Sequence, residues 1–285
     1  MQVLEAAVAG SANPWPMRRE RAAELAERYP HAAEMLRLYQ ALTVVQEAAF
    51  QKLPSPSAGG QGGGSPDIAA FAVQHVLPGI IDVTVEAGPR ALRDGVIALY
   101  AAADVRDVIR RWLNLEPLPP FETYLARASA SPLLEALTPH PDPPPQGGRG
   151  ISATLPHERG REMHQCPACG GLPQLSYFAV SGEALVSGPR YLVCSRCATS
   201  WVFSRMTCAG CGESTGTRLP IFQEQERFPH VRVDACQTCR KYLLTCELRR
   251  EPRAVPVVDE IAALPLDLYA RDQGFTKITP NLMGN

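Results

Sequence analysis

The sequence predicts an α+β protein: a helical amino-terminal half followed by two small β units in tandem, each built around four cysteines. Three observations lead there. Apolar side chains recur at helical spacing through most of residues 17–138. All nine cysteines lie after residue 165, eight of them in four pairs whose spacing repeats. Between the two regions the composition changes from Ala, Leu, Glu and Arg to β-branched and aromatic residues alternating with polar ones.

The helices come first. Leu25, Met35, Leu36, Leu38, Leu42 and Val45 mark one apolar face over residues 17–53, with Pro30 separating a short first helix from a second. PSPSAGGQGGGSP, residues 54–66, reads as a flexible loop. Ser65 and Pro66 then supply a cap and a first helical position for a helix to about Glu86, with a break at Pro78-Gly79. Another helix is predicted from Pro89 to Leu115, its face set by Leu92, Val96, Leu99, Val105, Ile109 and Leu113, and a last one from Phe121 to Leu137. Short connections between helices define an all-helical domain over residues 1–138. The segment 139–160 follows as a linker; its PHPDPPPQGGRG stretch carries five prolines and three glycines.

Bulk properties exclude several classes. A formal net charge of -1 sets up no basic field for nucleic acid or an anionic membrane. No run of about 18 apolar residues offers a transmembrane helix. The start, MQVLEAAVAGSANPW, lacks a basic segment and places Glu5 in its apolar stretch, so no secretory signal is expected. Nine cysteines without an export signal point to reduced thiols in the cytoplasm, where paired cysteines mean metal or redox chemistry.

The pairs are Cys166/Cys169, Cys194/Cys197, Cys208/Cys211 and Cys236/Cys239, with 24, 10 and 24 residues between them. Cys166 to Cys208 is 42 positions, and so is Cys194 to Cys236. Both leading pairs are followed by glycine, Gly170 and Gly212, and both trailing pairs by another residue, Ala198 and Arg240. The region is therefore a duplication, 166–207 and 208–249, within units bounded at 161–207 and 208–252. Two residues between cysteines form a turn that brings both sulfurs to one side, where backbone amides stabilise their charge. Two such knuckles complete a tetrahedral four-sulfur site for zinc or iron.

QLSYFAV, RYLVC and TSWVFSRM read as the strands of the first copy, and RLPIFQ, VRVDAC and KYLLTC as those of the second. Because a duplicated unit should be self-sufficient, one metal is assigned to Cys166, Cys169, Cys194 and Cys197. The other goes to Cys208, Cys211, Cys236 and Cys239. A cross-braced pairing, first with third and second with fourth, is the alternative. Cys246 reads as a buried strand thiol, Trp201 and Phe203 as packing residues, and His157, His164 and His230 as polar loop residues.

On these residues the chain resembles the FdhE family, the accessory proteins of formate dehydrogenase. CPACGGLP (166–173), RYLVCSRCATSWVFSRMTCAGCG (190–212) and VDACQTCRKYL (233–243) match the family's knuckle region in order and spacing. DEIAALPLDLYARDQGF (259–275) resembles its C-terminal helix, and residues 21–46 its opening helices. The resemblance implies a helical domain, two rubredoxin-like or zinc-ribbon metal units and a C-terminal helical tail over 253–285, here restarted at Pro265. It also implies a cytoplasmic factor, needed for active formate dehydrogenase, that associates with the catalytic subunit.

Competing readings are a nucleic-acid-binding zinc ribbon, electron transfer by iron in four thiolates, and thiol–disulfide exchange at an empty site. The first is opposed by acidic residues dispersed among the arginines of 166–249 and by about two net negative charges on each filled site. The sequence contains no Ser/His/Asp set, phosphate loop or carboxylate pair, so a binding protein is expected instead of an enzyme.

Overall fold

The computed structural model describes residues 13–52, 67–138, 164–180 and 188–284. The glycine-rich loop, the Ser65-Pro66 cap, the proline-rich linker and His157 all lie outside the described residues. The chain forms two compact units. Of the described residues, one comprises 15–52, 67–138, Arg196–Ala198 and 280–284; the other comprises 13–14, 164–180, 188–195 and Thr199–Thr279.

The helical unit contains α1 (Trp15–Arg28), α2 (Ala33–Lys52), α3 (Ile68–His75), α4 (Leu77–Ala87), α5 (Arg90–Ala102), α6 (Val105–Leu113) and α7 (Pro120–Leu137). A 3-10 turn starting at Pro30 separates α1 from α2, at the proline where the break was expected. The break after α3 falls at Val76, and Pro78 sits in the first turn of α4, where its missing N–H costs nothing. Asp67 caps α3 by accepting from the Ala70 amide at 2.9 Å.

The single helix expected over 89–115 is two. Asp104 turns the chain out of α5 and caps α6 by accepting from the amides of Arg106 and Asp107. Apolar periodicity survives this cap because both helices bury the same face. Val96 of α5 and Val105, Val108, Ile109 and Trp112 of α6 share one core.

Helix α7 runs through the centre of this unit and packs on α2, α3, α4, α5 and α6. Tyr124 through Ala130 are buried without interruption, so the helix shows no polar face. It tolerates Pro132 because Gln46, buried on α2, donates to the Ala128 carbonyl at 2.9 Å, replacing the bond that a proline nitrogen cannot make.

The second unit is a seven-stranded mixed sheet among the described residues. Its strands are β1 (Pro173–Phe178), β2 (Arg190–Cys194), β3 (Ser200–Phe203), β4 (Ile221–Gln223), β5 (Val231–Ala235), β6 (Lys241–Glu247) and β7 (Thr276–Lys277). The order is β3-β2-β1-β6-β5-β4, with β7 also on β6. Each copy of the duplication supplies an antiparallel triplet, and the triplets join where β1 pairs parallel with β6.

A buried polar chain crosses that junction. Ser176 and Thr245 share a hydroxyl hydrogen bond of 2.6 Å, Thr245 donates to Asp234 at 2.7 Å, and Arg190 donates to both Ser176 and Asp234. The two copies thus share one sheet, while each keeps its own four cysteines. The physical reason is that a three-stranded triplet alone leaves β1 and β6 with unpaired edges and an incomplete core.

Helices α8 (Pro256–Ala262) and α9 (Leu264–Asp272) pack on this sheet, the first against β1 and β6 and the second against β4 and β5. Pro265 lies in the first turn of α9, as the restart required. Beneath them Lys277 of β7 lies 2.6 Å from Glu260 and 3.0 Å from Asp267, all three buried. Gln174 and Tyr242 donate to these two carboxylates. Burial pushes the Glu260 carboxyl above its ordinary value against the pull of Lys277. His230 lies in the turn before β5, a loop position as expected, and is buried there, 2.8 Å from Asp259, whose other oxygen accepts from the Val255 amide at the start of α8. No single helix among the described residues is long and apolar enough to cross a membrane.

Candidate metal centres

The eight paired cysteines converge in two groups, Cys166/Cys169/Cys194/Cys197 and Cys208/Cys211/Cys236/Cys239, with the sulfurs of each group within 4.8 Å of one another. First meets second and third meets fourth; no cross-braced set forms. The sheet register brings this about. Pro173 pairs with Cys194, so the knuckle before β1 abuts the knuckle after β2. In the second copy the Ala235 amide donates to Pro220 and the Gln237 amide to Arg218, which sets the corresponding knuckles side by side.

The knuckles repeat bond for bond. The amides of Cys166, Cys194, Cys208 and Cys236 each donate to the carbonyl five residues ahead, on Gly171, Thr199, Glu213 and Lys241. Such a closed turn requires a left-handed residue after the second cysteine, and all four knuckles have one: Gly170 at φ 71°, Ala198 at 56°, Gly212 at 79° and Arg240 at 57°. The trailing knuckles therefore adopt the same backbone without glycine, at a conformational cost of about 1 kcal/mol each. Arg240 has a local compensation. Its guanidinium donates to the carbonyls of Gln273 and Gly274 and lies 4.1 Å over the Phe275 ring.

A metal fits these groups on the chemistry of the donors. Sulfur pairs Cys169–Cys194, Cys208–Cys239 and Cys211–Cys236 lie 3.4, 3.7 and 3.7 Å apart. A tetrahedron with metal–sulfur bonds near 2.3 Å has edges of about 3.8 Å, whereas a disulfide needs about 2.05 Å. No disulfide joins any of the nine cysteines. Backbone amides face the sulfurs, as in the 3.3 Å contact from Gly210 to Cys208. Burial raises the Cys208 and Cys239 thiols against such amides; at Cys236 the amides of Cys239 and Thr238 overcome burial, and the thiol lies below its ordinary value. A bound cation favours all the thiolates and releases their protons.

Two further residues build the second centre. Glu213 accepts from the Thr238 hydroxyl at 2.6 Å and from the amides of Ser214 and Thr215, tying one knuckle to the other. His164, a loop residue ahead of the first centre as expected, also contacts the second. Its Nδ1 lies 3.0 Å from the Ala209 carbonyl, and its ring packs edge-on against Phe203. No sequence signal pointed there, because His164 is 45 positions from Ala209. Cys246 is buried in β6, outside both groups. Trp201 and Phe203 are buried on β3.

Four sulfurs of one kind, closed around each centre, define a protein with paired four-thiolate knuckle sites on a shared sheet; the sites could hold two metal ions. Residues 165–205 match the model of the FdhE central domain and residues 206–283 that of the FdhE C-terminal domain. The "Protein FdhE homolog" of Aquifex aeolicus (strain VF5) is 35% identical over 128 residues, covering 45% of this chain and 44% of that protein. That of Haemophilus influenzae (strain PittGG) is 31% identical over 127 residues, 43% of this chain and 40% of the relative. The matched stretch thus spans less than half the length of these curated relatives. The crystal structure of the FdhE protein from Pseudomonas aeruginosa shares the fold over 94% of each chain, with a TM-score of 0.62 at 20% identity. Residues 165–283 thus resemble the central and C-terminal domains of the FdhE family in sequence, and the chain shares its fold with the FdhE crystal structure.

Proposed function

We propose that this chain is a cytoplasmic accessory factor for formate dehydrogenase. It binds the catalytic subunit, is required for that enzyme's activity and turns over no substrate itself. Cys166, Cys169, Cys194 and Cys197 hold one metal ion, iron or zinc, and Cys208, Cys211, Cys236 and Cys239 hold another. The observation that carries this reading is the coincidence of both four-thiolate groups with the FdhE central and C-terminal domains over residues 165–283. A closed four-thiolate site leaves no position for substrate, so the metals act as staples. Each contributes on the order of 10 kcal/mol to strands with little core of their own.

The test is a Cys208→Ser/Cys211→Ser variant. It should lose one metal, fail to capture the catalytic subunit, and fail to restore formate dehydrogenase activity in a strain lacking this protein. Metal loss with binding and rescue intact would refute the proposal. A second reading, one-electron transfer by iron, is favoured by the exposure of Cys211 and the half-buried positions of Cys169 and Cys239. A reversible potential measured with the physiological partner would select it.

A further inference from the structure

We propose that the open edge of β4 is the docking site for an extended segment of the partner protein, which adds to the sheet as a parallel strand. The inference rests on the accessory role above and names the surface through which that role would be exercised.

The duplication shows what this edge is built to accept. In the first copy Ser176, Tyr177 and Phe178 of β1 pair with Leu192, Tyr191 and Arg190. In the second copy Ile221, Phe222 and Gln223 of β4 pair with Asp234, Val233 and Arg232, each 42 positions beyond those partners. Ile221, Phe222 and Gln223 are therefore the counterparts of Ser176, Tyr177 and Phe178. The outer edge of β1 is filled inside the molecule. Ser176, Tyr177 and Phe178 pair in parallel with Thr245, Cys246 and Glu247 of β6. The equivalent edge of β4 ends the sheet, and among the described residues β4 pairs with β5 alone. Among the described residues the same edge is used once and left open once.

The side chains at the open edge differ as an interface requires. Where β1 has Ser176, bonded to Thr245 across the junction, β4 presents Ile221, 55% exposed. On the other face Phe222 packs edge-on against Tyr269 of α9, and Leu268 and Tyr269 are 49% and 46% exposed. An added strand would lay apolar side chains against Ile221 on one face and against Tyr269 on the other, while its backbone satisfied the edge of β4. The ligand is thus an extended segment, apolar on both faces. Recognition by main-chain pairing with flanking apolar contacts is the β-augmentation mode, and an apolar edge is otherwise an aggregation hazard.

The experiment uses full-length, metal-loaded protein and the purified formate dehydrogenase catalytic subunit. Amide hydrogen exchange is followed over residues 219–224, and capture is compared for wild type, Ile221→Val and Ile221→Lys. The expected result is new protection at 221–223 in the complex. Capture should weaken at least tenfold for Ile221→Lys and stay near wild type for Ile221→Val, with two metals retained in both. A complex without protection at 221–223, or full capture by Ile221→Lys, overturns this surface and leaves the accessory role standing. Absence of any wild-type complex overturns the accessory role and the surface with it. Protection that grows with the concentration of this protein alone assigns the edge to a second copy and overturns the partner segment.

Discussion

Replacing Gln46 by leucine removes the donor that satisfies the Ala128 carbonyl inside the helical unit. Pro132, four residues along α7, has no N–H to take over, and Gln46 is itself buried. A buried carbonyl left without a donor costs about 1–3 kcal/mol, and the added apolar contact of leucine offsets part of that. The net destabilisation should be about 1–2 kcal/mol, seen as a fall of about 2–4 °C in thermal midpoint per kcal/mol. The discriminating measurement is a double-mutant cycle. Pro132→Ala restores a helical N–H to the same carbonyl, so Gln46→Leu should cost about 1 kcal/mol less in that background. Helical circular dichroism during urea unfolding of all four proteins reads this directly. Additivity within about 0.5 kcal/mol would refute the idea that Gln46 stands in for the missing proline N–H.

The other predictions concern the knuckles and one cap. Cys166→Ser should release one metal and expose Cys169, Cys194 and Cys197 to thiol labelling, while Cys208, Cys211, Cys236 and Cys239 stay protected; equal labelling of both groups would show that the centres are not chemically separate. Ala198→Gly should stabilise the protein by about 1 kcal/mol, because glycine adopts the left-handed conformation without the Cβ penalty; Arg240→Gly should gain less, since it forfeits the bonds to Gln273 and Gly274. Chemical denaturation compares the two, and equal gains would discount the role of that guanidinium. The Ala70 amide and Arg106 hold the Asp67 carboxyl below its ordinary value of 3.8. Its stabilising effect is therefore complete above that value and lost as pH falls through the lowered one. The gap in thermal midpoint between wild type and Asp67→Ala should be open at neutral pH and close in acid; a gap independent of pH would remove the charge from the explanation.

The sequence by itself determined the features that depend on local spacing. Cys166 and Cys208, 42 positions apart, announced the duplication, and each Cys-x-x-Cys defined a turn that needs no distant contact. The strands carrying the knuckles were legible for the same reason: alternation over five or six residues is a local signal. Only the tertiary structure decided how the two copies share a sheet. The parallel pairing of Leu175–Phe178 with Leu244–Glu247 joins segments whose side chains alternate equally well with several partners, so nothing local selects that edge. The split at Asp104 was hidden because two helices burying the same face preserve the period across their cap. His164 gave no sign of its place against Ala209, and Gln46 none of its bond to Ala128, because each answers a vacancy created far along the chain. A single side chain meeting a remote backbone carbonyl leaves no periodicity to read. Such contacts are set when the chain packs, since the cost of an unsatisfied buried group arises only once water has been excluded.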